Sequence, residues 1–125
     1  MEKFMKKNKR VTYSLPLQNH LEICKMIVEE RLINRQIVSK SYIVQECLVN
    51  TFKDWDDEID AYNKDKSTIE SLPKQMTDNL SFGITLPLDI IEKVEYYARQ
   101  LKVNKSLVVY ISVLLYKNMK ENGEM

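Results

Sequence analysis

Tyr13-Ser14-Leu15-Pro16-Leu17 returns 71 positions later as Ile84-Thr85-Leu86-Pro87-Leu88. Val11, Tyr13 and Leu15 alternate with Arg10, Thr12 and Ser14, and Phe82, Ile84 and Leu86 alternate with Ser81, Gly83 and Thr85. A period of two in β-forming residues predicts two short strands, each with one buried and one polar face. A proline closes each strand and opens a turn into the next element. The match continues beyond it, since Ser39-Lys40-Ser41 before Tyr42-Ile43-Val44 recurs as Asn104-Lys105-Ser106 before Leu107-Val108-Val109, at an offset of 65. The first copy therefore carries six extra residues between its two landmarks.

Between the landmarks the spacing becomes helical. Leu21, Cys24, Ile27/Val28 and Leu32 form the expected buried stripe of one helix, and Ile90/Ile91, Val94, Tyr97/Ala98 and Leu101 that of another. Ser39 and Asn104 are expected N-caps of a following helix, because their short side chains can accept from first-turn N–H groups. Each copy then reads strand, helix, helix. In the first copy the second helix is expected to run on through Leu48, Phe52, Trp55, Ile59 and Tyr62 to near Asn63. Residues 64–79, with Pro73, read as a linker with a possible helical turn begun at Ser67 or Thr68. The second helix of the second copy is apolar nearly all round from Leu107 to Tyr116, which places it at the centre of an assembly.

With 125 residues, 44% of them hydrophobic, the chain can bury one modest core or two very small ones, so a second unit must lean on a partner. Two glycines and three prolines exclude collagen-like chains, and the abundance of helix formers argues against an all-β chain. Cys24 and Cys47 lack CxxC spacing and are read as buried thiols of a reducing compartment. The start MEKFMKKNKR has no signal-peptide run, and 107–116 is too short to span a bilayer, so a cytoplasmic location and no membrane contact are expected. The net charge of +1 hides an uneven placement. Lys3, Lys6, Lys7, Lys9 and Arg10 make a basic arm, while Asp54, Asp56, Asp57, Glu58, Asp60 and Asp65 make an acidic connector.

A strand with one buried face needs a second strand, and a lone pair is marginal until helices cover it. Pairing residues 10–15 with 81–86 would give an antiparallel ribbon backed by helices, a shape that fits the major groove of B-DNA. The pairing could run within one chain or between two. Between chains it would join two Arg10-bearing faces and predict a palindromic site.

In these residues the chain resembles the ribbon-helix-helix superfamily of Arc, MetJ and CopG-type bacterial repressors. Lys9-Arg10-Val11-Thr12-Tyr13-Ser14-Leu15 and Ser39-Lys40-Ser41-Tyr42-Ile43-Val44 carry the likeness, which covers about residues 8–53 and 80–119. One copy per chain is usual in that family, so a tandem pair departs from it and suggests an intramolecular pseudo-dimer. The resemblance implies that the outward strand residues read bases: Arg10, Thr12 and Ser14 in copy one, Ser81, Gly83 and Thr85 in copy two. Copy one is expected to discriminate more, because Gly83 lacks a side chain and Ser81 is short. It also implies phosphate contacts at the second-helix starts, Ser39, Lys40 and Ser41 with Asn104, Lys105 and Ser106, where helix N-termini favour anions. Lys6, Lys7 and Lys9 would add salt-sensitive backbone attraction.

The expected fold is thus mainly α with a short antiparallel two-stranded ribbon. Its parts are a basic arm (1–8), copy one (9–63), a linker (64–79), copy two (80–119) and a tail (120–125). The expected function is sequence-specific binding of double-stranded DNA as a repressor, with no cofactor or metal and with self-association through the helices at 107–116 and 48–62. Alternatives of the same shape are an accessory DNA-binding protein of plasmid partition or conjugative transfer, an antitoxin-like interaction module whose acidic connector or C-terminal tail neutralises a basic partner, and an oligomer that no longer binds DNA. No enzyme is expected, since His20 is the only histidine and reads as a surface or capping residue. The acidic connector lacks the glycine and spacing of a calcium loop and reads as a solvated helix face, with Trp55 and Tyr62 as packing residues.

Overall fold

A computed structural model describes residues 7–65 and 79–123. Its elements run β1 (Asn8–Pro16), α1 (Leu17–Ile33), α2 (Lys40–Val49), α3 (Phe52–Asp65), β2 (Asn79–Pro87), α4 (Leu88–Leu101) and α5 (Lys105–Glu121). The described fold is therefore mainly helical with one two-stranded antiparallel sheet, β1 against β2. Lys3, Lys6 and the turn at Ser67 or Thr68 lie outside the described residues.

The strands pair along their whole length, Asn8 opposite Pro87 and Pro16 opposite Asn79. Tyr13, Leu15, Phe82, Ile84 and Leu86 are all buried on the inner face. Burying each such side chain is worth about 1.5–3 kcal/mol, the largest favourable contribution to holding so short a ribbon. No turn follows the strands. Pro16 and Pro87 stand at the N-caps of α1 and α4 with φ of −59° and −57°, so the ring that ends each strand also sets the entry to a helix. The helices cover the ribbon crosswise, α2 packing on β2 and α5 on β1.

In α4 the expected stripe is the observed one, with Ile90, Ile91, Val94, Tyr97, Ala98 and Leu101 buried. In α1 it is not. Asn19, Glu22, Ile23 and Met26 face inward, while Leu21, Val28 and Leu32 are 54%, 53% and 71% exposed, and Cys24 is exposed too. The helix carries two apolar faces, and the buried one is that aligned with α4 by the prolines: Asn19 with Ile90, Ile23 with Val94, Met26 with Tyr97. Of the two expected buried thiols, only Cys47 is buried. The six extra residues divide between a longer helix, 17 residues in α1 against 14 in α4, and a longer loop from Asn34 to Ser39.

The second helix of the first half does not run on. It stops at Val49, and a new helix starts at Phe52. Asn50 Nδ2 donates to the Glu46 carbonyl at 2.8 Å, and Thr51 Oγ1 donates to the carbonyls of Cys47 and Leu48 at 2.8 and 3.2 Å. These side chains take up carbonyls at the helix end, the competition that makes Asn and Thr poor helix interiors. The break turns α3 back onto α4, burying Trp55 and Ile59.

The apolar helix α5 buries Leu107, Val108, Val109, Ile111, Ser112, Val113 and Tyr116 inside the single chain, against α1, α2, α4 and β1. Most of its apolar surface is thus used within the protomer. The buried face of the 48–62 stretch is likewise taken up internally, since Leu48, Trp55 and Ile59 belong to the same core. Among the described residues no helix is long and apolar enough to cross a membrane.

Candidate nucleic-acid interface

The outer face of the ribbon is laid out by the register. Arg10 faces Thr85, Thr12 faces Gly83 and Ser14 faces Ser81. Arg10, Thr12, Ser81 and Thr85 are exposed, and Ser14 and Gly83 are half-buried. All six residues singled out in the sequence therefore share one surface, opposite the core face. Behind them burial, with a smaller effect of Glu95, pushes the Tyr13 phenol up to about 12.

Gly83 has a role that sequence reasoning missed. A Cβ placed there would stand 2.7 Å from Arg10 Nη2 and 3.0 Å from its Nε, so the guanidinium lies across the ribbon directly over the glycine. The empty position is the seat of the Arg10 side chain. At the other end of the face the hydroxyls of Ser14 and Ser81 are 3.4 Å apart. Neither strand alone announces this contact, which joins diagonal neighbours and depends on the register between the strands.

The ribbon and the two helix starts are joined by a matched pair of hydrogen bonds. In an antiparallel pair alternate residues turn their N–H groups outward, away from the partner strand. The outward N–H of Ser14 donates to Ser106 Oγ at 2.9 Å, and that of Thr85 donates to Ser41 Oγ at 3.0 Å. Ser39 Oγ accepts from the Tyr42 N–H at 3.1 Å, and Asn104 Oδ1 accepts from the Leu107 N–H at 2.8 Å, so both expected N-caps are formed.

These four side-chain oxygens thus accept from the chain's own amides. What the helix starts offer an anion is their dipole and the ammonium groups of Lys40 and Lys105. Lys40 Nζ lies 5.6 Å from the Phe82 ring centroid, and Lys105 Nζ is 3.8 Å from the Glu95 carboxylate in an exposed pair. Lys7 and Lys9 are exposed beside the start of β1, and Lys6 lies outside the described residues.

His20 is half-buried at the far end of the ribbon. Its Nε2–H donates to the Leu80 carbonyl at 3.0 Å, and its ring meets Phe82 edge-on at 5.1 Å, so it fastens the start of β2. Trp55 stacks on Tyr97 and donates from Nε1 to Ser112 Oγ at 2.9 Å in the core. Asp56, from the acidic stretch, accepts from the Tyr97 hydroxyl at 3.0 Å. The side chain of Tyr62 is outside the described residues, and among those described no group of three or more His, Cys, Asp and Glu is arranged to hold a metal ion.

Comparison with family models, with curated proteins and with solved structures returned no match.

Proposed function

We propose that this chain binds double-stranded DNA sequence-specifically, laying the outer face of its β1–β2 ribbon in the major groove, as a tandem ribbon-helix-helix protein whose halves form an intramolecular pseudo-dimer. The observation that carries the reading is the outer face itself: an antiparallel ribbon with Arg10, Thr12, Ser14, Ser81 and Thr85 pointing away from the core, and with α2 and α5 starting beside it. A two-stranded ribbon fits the major groove, and Arg, Thr and Ser can meet base edges there. Helix starts at both flanks suit backbone phosphates. The pseudo-dimer is supported by the reciprocal bonds, since Ser41 and Ser106 occupy matching sequence positions, as do Thr85 and Ser14, and each bond joins one half to the other. A repressor acting by occupying an operator is the role we favour.

The test is selection of bound duplexes from a random library at fixed salt, repeated with Arg10→Ala and Thr12→Ala. A defined motif that both substitutions relax supports the ribbon as reader. Absence of a motif, or one indifferent to both residues, rejects it.

A further inference from the structure

Thr12 stands opposite Gly83, the residue 71 positions on that is its own counterpart in the repeat. A pseudo-two-fold axis of the ribbon therefore passes between these two residues. About that axis Ser14 corresponds to Thr85, two small hydroxyl side chains, but Arg10 corresponds to Ser81. The shape of the ribbon is two-fold and its chemistry is not.

The departure is concentrated at the centre. Arg10 starts two residues from the axis on β1 and crosses the ladder, so that its guanidinium rests over Gly83, beside the axis. The glycine is not demanded by the backbone, because Gly83 does not have a positive φ. Its contribution is room. A side chain at 83 would lift the arginine fork off the ribbon, whereas the bare Cα lets the fork lie flat where the groove floor would come. Among the described residues no acidic group pairs with Arg10, so its donors remain available to a ligand. Across the axis the short hydroxyls of Ser81 and Ser14 face one another and tolerate several bases.

We infer that the ribbon is an oriented, one-armed reader: Arg10, seated over Gly83, selects a guanine on one side of the centre of a non-palindromic duplex, and the protein binds that duplex in one direction only. The inference rests on the DNA-reading role proposed above. It departs from what a symmetric pair of strands would do, since two equivalent strands would read a palindrome. A bidentate arginine–guanine contact discriminates against other bases by about tenfold to a hundredfold, enough to fix the direction of binding.

The experiment uses the full chain, a selected duplex, and the same duplex with the two halves of its core exchanged. Wild type is compared with Gly83→Ala and with Ser81→Arg combined with Thr12→Gly, with thermal melting to check that each variant folds. The wild-type motif is expected to lack two-fold symmetry. Gly83→Ala is expected to weaken discrimination at the guanine read by Arg10 about tenfold. Ser81→Arg combined with Thr12→Gly, which places a second guanidinium at the counterpart of Arg10 and clears the counterpart of its seat, is expected to add a guanine preference at the symmetry-related position. A palindromic wild-type motif that still depends on Arg10 would overturn the inference and leave the DNA-reading role standing. So would a motif that the combined Ser81→Arg and Thr12→Gly variant does not change. Failure to bind any duplex would remove both together.

Discussion

Ser106 Oγ accepts a hydrogen bond from the Ser14 amide at 2.9 Å, across 92 residues of sequence. It ties the first turn of α5 to the outward edge of β1, and the Ser41–Thr85 bond at 3.0 Å does the same for α2 and β2. The helix starts are thereby held at fixed distances from the outer face of the ribbon. Any partner lying on that face meets both helix ends in a preset geometry.

Removing Ser106 Oγ should be felt in stability. The bond is partly buried, so Ser106→Ala leaves the Ser14 amide short of an acceptor and is expected to cost about 1 kcal/mol. The Ser41–Thr85 bond is exposed, and water can replace the lost oxygen, so Ser41→Ala should cost less. Urea unfolding of the two variants checks the order.

The Trp55 Nε1–Ser112 Oγ bond fastens α3 to α5 inside the core at 2.9 Å. Ser112→Ala strands a buried donor and is expected to destabilise by roughly 1–3 kcal/mol. Trp55→Phe leaves the hydroxyl without its donor and also removes part of the ring that stacks on Tyr97. Because the two residues share one bond, the double variant should lose less than the sum of the single losses, a coupling that a double-mutant cycle in urea measures directly.

How far these elements can be read from sequence depends on what decides each of them. Alternation with a terminal proline was enough for both strands, and Ser39 and Asn104 were legible as caps because capping needs only a residue and its next turn. The buried face of α1 was not legible from periodicity, since Leu21, Cys24 and Val28 are as well spaced as Ile23, Met26 and Ile27. Alignment of the prolines would have chosen correctly. The break at Asn50–Thr51 was hidden because apolar spacing continues through it while the side chains bond back onto the helix. The six outward ribbon positions followed from the period of two, but the Arg10–Gly83 contact needs the register, which no single strand contains.

Burial also separates the two thiols and three phenols by reactivity. Cys24 is exposed and should react with a thiol reagent in the native protein, whereas Cys47, buried and pushed up to about 12, should react only on unfolding. Burial, then the influence of Glu95, raises Tyr13 from 10.0 to about 12. Tyr116 rises to about 12, chiefly by burial, and Tyr97 is raised by burial and then by its hydrogen bond to Asp56. Folded phenols keep protons that the unfolded chain loses, so their stabilising effect is complete below pH 10 and is lost as the pH rises toward about 12. Urea midpoints followed into the alkaline range should fall across that window, together with a rise in phenolate absorbance.

Lys40 and Lys105 stand at the starts of α2 and α5 and do not lie on the ribbon's outer face. Neutralising either is expected to weaken duplex binding by a similar factor for every sequence, leave the selected motif intact and reduce the slope of log K against log salt by about 1. Lys105→Ala should have the smaller effect, because Glu95 already lies 3.8 Å from its ammonium. Equilibrium binding across a salt series distinguishes this from loss of base reading.

The most direct test of the ribbon as a major-groove reader is methylation interference at guanine N7, an atom exposed only in that groove, on a selected duplex. Wild type is expected to be blocked by methylation of one guanine near the centre of the site, and Arg10→Ala to bind weakly and be indifferent to the same methyl group. Wild-type binding that no N7 methyl group disturbs, or interference that persists unchanged in Arg10→Ala, would contradict the account.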